Sequence, residues 1–264
     1  MKKLISTLAI AGLLIGFGAH AAPVHAATSS LASLSSGDLI RGTSFNAVYY
    51  YGKDGFRYVF PNDKTYFTWY SNFDTVKMLS DADLGTIQIG GNVTYKPGVK
   101  MIKINSDPKT YAVDADGSLR WVTTEAIAVA LYGSNWNTKI DDVPDAFFGN
   151  YDMGADLEAV DDFTPADASS EASDINHDKA LQSPIIVHIS DNEYDAATYT
   201  VSAGRAVKFV NDGSASHTAT ADDESWGTGT MTSGQSFTRY FKTAGEWSFH
   251  CNYHSMMTAT VVVE

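Results

Sequence analysis

Phe249-His250-Cys251-Asn252-Tyr253-His254-Ser255-Met256-Met257 joins an alternating run that ends at Cys251 to a valine-rich run that begins near Thr258. This stretch decides the fold of the last third of the chain. Cys251 is the only cysteine among 264 residues. It has no partner for an internal disulfide, and without context a lone thiol reads as a buried bystander or an intermolecular bridge. His254 stands three residues further on, across a turn, where it can face the same centre as the Cys251 sulfur. A thiolate and an imidazole together offer one soft anionic donor and one borderline nitrogen, the pairing that transition metals of intermediate softness take. The stretch reads as a ligand loop.

Outward from the loop, short runs recur at even spacing: Ile185 to Ile189, Tyr199 to Ser202, Ala206 to Asn211, Ser236 to Phe241, Glu246 to Cys251 and Thr258 to Val263. Gly204, Asp212-Gly213, Ser233-Gly234 and Ala244-Gly245 punctuate them. Regular strands with turn residues between them predict a small all-β Greek-key sandwich over 183–264. A further ligand must come from another loop at the same end, and His217, just after the 206–211 strand and its Asp212-Gly213 turn, is so placed. Two histidines, one cysteine and a distant thioether are the donor set of copper in electron-transfer sites, whereas zinc takes four strong ligands or keeps an open water position. His250 neighbours Cys251 on a strand, so its side chain points to the opposite face.

With these residues in view, the region resembles the cupredoxins, the plastocyanin and azurin family, and within it the amicyanin type, which has the shortest ligand loop. The likeness lies in Cys251, His254 and Met257 at successive intervals of three, the closing Val261-Val262-Val263-Glu264, and the interval from Asn211 to His217. The resemblance implies one type 1 copper per chain, with His217 and His254 as imidazole ligands, Cys251 as thiolate ligand and Met257 as weak axial ligand. Met256 has the wrong spacing. It also implies a non-enzymatic carrier of single electrons between redox partner proteins. The alternatives are a copper carrier or buffer that never cycles electrons, and a surface-structural protein with an appended copper domain. Tyr253 and Thr218 stand where the family usually has proline and asparagine. Those departures predict a more adaptable loop and the loss of a side-chain bond that pins the two ligand loops together.

The rest of the chain sets the context. Met1-Lys2-Lys3, the uncharged run from Leu4 to Phe17 and the small residues up to Ala26 read as a signal peptide over 1–26, with Ala21 as the alternative cleavage point. The run is short for a membrane span, which needs about 20 apolar residues, so the mature chain is expected without a span, exported to the periplasm or the outer surface of a bacterium. The formal charge is −13 and becomes −15 once Lys2 and Lys3 leave with the leader. That balance argues against nucleic acid or anionic lipid as partners and favours redox proteins with a basic docking surface.

Between Asp152 and Asp178 lie nine acidic residues and no basic one, a composition that predicts an acidic flexible linker over 152–182. His177 within it reads as a solvated residue rather than a ligand. The segment 36–151 predicts a small α+β domain, making two domains in all. Two related hairpins are expected, one at residues 47–51 and 57–60 around Lys53-Asp54-Gly55, the other at 111–113 and 119–122 around Asp114-Ala115-Asp116-Gly117. A helix is expected from Thr124 to Tyr132, with Gly133 ending it. Asp114, Asp116 and Glu125 have the spacing of a calcium loop, but Leu119 occupies the glycine position and a strand enters where a helix should. Tyr66-Phe67-Thr68-Trp69-Tyr70 could stack on sugars, although alternate aromatics on a half-buried sheet are more often packing. This segment, with Tyr58 to Tyr70 and Val143 to Phe148, resembles a module of bacterial surface and exported proteins. The likeness implies a cell-surface location, where a surface polymer is the expected contact.

Overall fold

The computed structural model describes residues 28–264; the leader read over 1–26 lies outside the described residues. The first sheet is made by β1 (Leu39–Arg41), β2 (Val48–Tyr51), β3 (Arg57–Val59), β4 (Lys77–Met78) and β5 (Ile89–Asn92), with α1 (Asp63–Trp69) and α2 (Asp81–Thr86) between its later strands. The second is made by β6 (Met101–Lys103), β7 (Tyr111–Val113), β8 (Ser118–Trp121), β9 (Ile140–Asp142) and β10 (Asp152–Met153), with α3 (Glu125–Tyr132) and α4 (Asp145–Phe148) in the corresponding places. Each sheet is an antiparallel three-strand meander flanked by two parallel edge strands. The first edge strand in sequence pairs with the first strand of the meander and the second with the third. The region expected as one α+β domain is therefore the same unit built twice. Only the hairpins were legible because strands as short as β4 and β10 carry no measurable period.

The helix expected at Thr124 is present as α3, its Thr124 hydroxyl accepting the Ile127 N–H. Of the 66–70 aromatics, Tyr66, Phe67 and Trp69 lie on a helix rather than on a strand, and Tyr70 follows its end. Asn62 caps α1 by accepting the Thr65 N–H at 2.8 Å, and that cap overrides the strand preference of the aromatic side chains.

The expected linker is also corrected. Residues 152–182 contain β10, α5 (Pro165–Glu171) and α6 (Ile175–Asp178), and they are packed. Leu157, Phe163 and Ala168 are buried with Met101, Ala112 and Ile127 of the second unit. Ile175 is buried with Tyr50 and Tyr66 of the first. The acidic residues make local bonds instead of repelling one another: Asp162 accepts the Glu158 and Ala159 N–H groups, and Asp174 accepts the His177 N–H. The strap lies so close that a Cβ on Gly98, at φ 69°, would fall 1.9 Å from the Pro165 carbonyl oxygen.

The remaining chain forms β11 (Ile185–Ser190), β12 (Glu193–Tyr194), β13 (Thr198–Val201), β14 (Ala206–Asn211), β15 (Thr220–Ala221), β16 (Ser236–Tyr240), β17 (Gly245–His250) and β18 (Thr258–Val263). They make two four-stranded sheets, ordered β12-β11-β14-β16 and β13-β18-β17-β15. Between them lies a core of Val187, Ile189, Val207, Phe209, Phe249, Val261 and their neighbours. Inward residues alternate along β13 and β18, the period of a strand with one buried face.

The sandwich and the first unit meet at Asp54, in the β2–β3 turn. Its buried carboxylate accepts the Phe56 N–H and the hydroxyls of Tyr58 and Tyr240, while Tyr240 stacks on Phe56 with ring centroids 4.5 Å apart. Gln88 adds a bond from the Thr238 N–H at 2.8 Å. This junction sits at the Ala206–Tyr240 end of the β14–β16 ladder, and the strand β14 runs from there to the far end, where the His217 loop begins. Asp54→Ala strands three donors and is expected to lower the stability of the full chain by about 2–3 kcal/mol in urea unfolding; a change under about 0.5 kcal/mol would show the junction to be incidental.

Asp178, in the strap, lines a cavity of about 530 Å³ beside this junction. One of its oxygens accepts from Thr94 and the other has no partner. Burial raises its carboxyl from the ordinary 3.8 to about 6. The folded state therefore binds the proton more tightly than the unfolded one, and Asp178 costs stability above pH 6, a cost that fades as pH falls towards 4. Asp178→Asn is expected to raise Tm at pH 7 to 8, with the gain shrinking to nothing near pH 4; a gain independent of pH would exclude this cause.

Candidate metal centre

Cys251 immediately follows β17 and His217 lies in the loop after β14, so the two come from opposite sheets and meet at one end of the sandwich. The first loop is held from within. Asn211 donates from Nδ2 to the carbonyls of Ala215 and Met231, both at 2.8 Å, and accepts the Gly213 N–H. Asp191 accepts the Ser214 and Ala215 N–H groups and the Ser214 hydroxyl. These bonds, the Ala215 N–H foremost, hold the Asp191 carboxyl below the usual range. Gly213 leaves room for that carboxylate, since a Cβ there would stand 2.5 Å from its oxygen. His217 then exchanges backbone hydrogen bonds with Met231 at 3.0 and 2.8 Å.

The second loop closes on itself. The His254 N–H donates to the Cys251 carbonyl at 3.3 Å, the Met257 N–H to the His254 carbonyl at 2.9 Å, and the Cys251 N–H to the Met257 carbonyl at 3.1 Å. Those turns swing His254 back over the cysteine. The Cys251 sulfur lies 3.6 Å from His254 Nδ1 and 3.8 Å from His217 Nδ1, and the donor atoms of all three residues fall within 4.8 Å of one another. A metal bound at about 2.0–2.3 Å from each donor needs donors at about this separation. The donors therefore fit a metal ion, and a soft thiolate with two imidazoles fits copper.

His217 and Cys251 are buried, as is Met257, whose side chain lies in the same core cluster as Cys251; His254 is partly exposed and Met256 is 91% exposed. Burial, and then the neighbouring His254, lower the His217 pKa, which keeps its imidazole neutral and free to act as a ligand. His250 is directed away, as its strand position requires, and its Nδ1 meets Asp222 at 2.7 Å. His177 lies on α6 and meets Asp174 at 2.8 Å.

Thr218 corrects one expectation. The lost asparagine was expected to remove the bond between the ligand loops, yet the Thr218 hydroxyl accepts the Asn252 N–H at 2.9 Å, the Thr218 N–H donates to the Cys251 sulfur at 3.4 Å, and the Thr218 carbonyl accepts the Tyr194 hydroxyl at 2.7 Å. The proline position is served by Tyr253, whose hydroxyl meets that of Thr230 at 2.7 Å. Sequence reading also missed Asp191, Tyr194 and Met231; an aspartate and a tyrosine upstream carry no spacing signal until the β11–β12 turn is known.

The site thus defines a β-sandwich with a largely buried two-histidine, one-cysteine group that fits a metal ion. No family model matches the chain, and no curated protein does either. Among solved structures, the amicyanin of Paracoccus versutus is 28% identical over 31% of this chain and 81% of its own, with a TM-score of 0.28. An oxidized amicyanin mutant is 25% identical over 30% of this chain and 81% of its own, at 0.29. A purple cupredoxin from Nitrosopumilus maritimus is 18% identical over 30% of this chain and 99% of its own, also at 0.29. The metal assignment rests on the side chains themselves.

Thr218→Val keeps the shape of the side chain and removes its acceptor. The Asn252 amide should then exchange its proton about tenfold faster in the metal-free protein, the equivalent of roughly 1.4 kcal/mol. Unchanged protection at Asn252 would mean that the two loops are pinned elsewhere.

Proposed function

We propose that this chain is a type 1 copper protein that carries single electrons, with one copper held by His217, Cys251 and His254 and with Met257 as a weak axial donor. The observation that carries the proposal is the His217–Cys251–His254 triad, two of its members buried and its donor atoms already gathered within 4.8 Å. When bound, the copper supplies the one-electron couple. The protein supplies a fixed donor set: Thr218 directs an N–H at the sulfur, and two interlocked loops resist rearrangement between oxidation states. The Met257 and Cys251 side chains are shut off from water. His254, partly exposed beside Tyr253 and Met256, is the port through which the centre couples to a partner.

The partner is a redox protein with a basic face, suited to a chain of formal charge −13. The leader-like opening supports export to the periplasm or the cell surface of a bacterium. Among the described residues, no helix is long and apolar enough to cross a membrane. The 36–151 segment supports attachment to a surface polymer, and no substrate chemistry is proposed for the chain.

A second reading, a copper carrier or buffer, draws on Met256, whose exposed thioether beside His254 suits the handing over of Cu(I). Voltammetry with a visible spectrum separates the two, since a colourless copper protein that cannot be cycled would be a buffer. Cys251→Ala is expected to abolish the blue colour, and Met257→Ala to retain copper at a shifted potential. Equal copper loss in both would remove Met257 from the axial role.

A further inference from the structure

His217 is fully buried, and its second ring nitrogen, Nε2, has no hydrogen-bond partner. One charged group faces it: Asp191 Oδ1 lies 3.8 Å from Nε2, too long for a hydrogen bond but within reach of a small ring rotation. The Asp191 side chain is half exposed, yet its carboxylate is held in place. It is fixed by the Ser214 and Ala215 N–H groups at 2.8 and 2.9 Å and by the Ser214 hydroxyl at 2.8 Å. Gly213 is cut away to admit it. The loop that carries His217 is therefore built around Asp191.

The other ring nitrogen, Nδ1, faces the Cys251 sulfur. A neutral imidazole carries one proton, so Nδ1 can offer a lone pair to the centre only if that proton sits on Nε2. A buried N–H calls for an acceptor, and a carboxylate behind a ligand histidine also strengthens the ring as a donor.

We propose that Asp191 is the positioning residue for His217: its carboxylate receives the Nε2–H, fixes that tautomer, and so presents Nδ1 to the copper. The effect on metal binding rests on the copper reading above; the effect on the tautomer does not. The pair also divides labour between the two histidines, because His254 reaches partial exposure and water can serve its outer nitrogen, whereas His217 has only the protein to do so.

The test uses the full chain, first without metal. Long-range ¹H–¹⁵N spectra of the histidine rings should show His217 as the Nε2–H tautomer alone. Asp191→Asn removes the charge, and a population of the Nδ1–H tautomer should then appear. Cu(II) affinity, measured by competition with a chelator, should fall about tenfold or more. Ser214→Ala removes one brace but keeps the carboxylate, and should leave the tautomer unchanged; this separates the charge from a general loosening of the loop. An unchanged tautomer or an unchanged Cu(II) affinity in Asp191→Asn overturns the proposal, as does an Nδ1–H tautomer in the unaltered protein. A chain whose tautomer depends on Asp191 but that binds no copper would instead overturn the proposed function and leave the Asp191–His217 pair standing.

Discussion

Thr218 joins the two ligand loops by two bonds and ties them to the core by a third. Its N–H reaches the Cys251 sulfur, its hydroxyl takes the Asn252 N–H, and its carbonyl takes the hydroxyl of Tyr194. The last of these extends the link into the core, where Tyr194 packs edge-on against Phe249 with centroids 4.9 Å apart. The cysteine, the loop that follows it and the loop that carries His217 are thereby tied to one another and to the interior. A metal centre made from two sheets needs such a tie, because the donors approach from opposite layers and the hydrophobic core alone does not set their separation to within a fraction of an ångström. Further from the sulfur, Asn211 acts in the same way by bridging Ala215 and Met231.

The grouping of His217, Cys251 and His254 was legible in the sequence for a physical reason. Cys251 and His254 lie on one short loop, where spacing and geometry are nearly the same thing, and the strands around them alternate strongly enough to place His217 at the same end. The supporting residues were not legible, since Asp191 and Tyr194 become neighbours of the site only when β11 and β12 fold back on it. Thr218 was visible as a departure and was misjudged, because a hydroxyl can accept the bond an amide side chain would have made. Composition misled in another way. The 152–182 stretch has the charge of a linker, but Leu157, Phe163 and Ile175 are spaced to reach two cores, and its acids cap turns and helices. In α1, a single capping asparagine outweighed a run of aromatics.

The repeated five-strand unit explains why so much of the chain reads weakly. Each unit's core is small, divided between Tyr50, Tyr66 and their neighbours in one case and Met101, Leu119 and theirs in the other, and neither is large for an independent domain. Joining the units with the strap and docking the first on the sandwich through Asp54 enlarges the buried surface. That docking takes place at the end of β14 remote from His217, so the N-terminal half adds packing without covering His254.

The folded strap alters the mechanics of the whole molecule. A disordered tether of some thirty residues would let the β-sandwich wander over tens of ångströms, its encounters governed by linker length. With α5 and α6 packed into both cores, the slack is taken up, and the end that carries His217, Cys251 and His254 becomes the tip of a short arm. That arm holds the tip at a set distance and orientation from the N-terminal units, so reach is traded for aim.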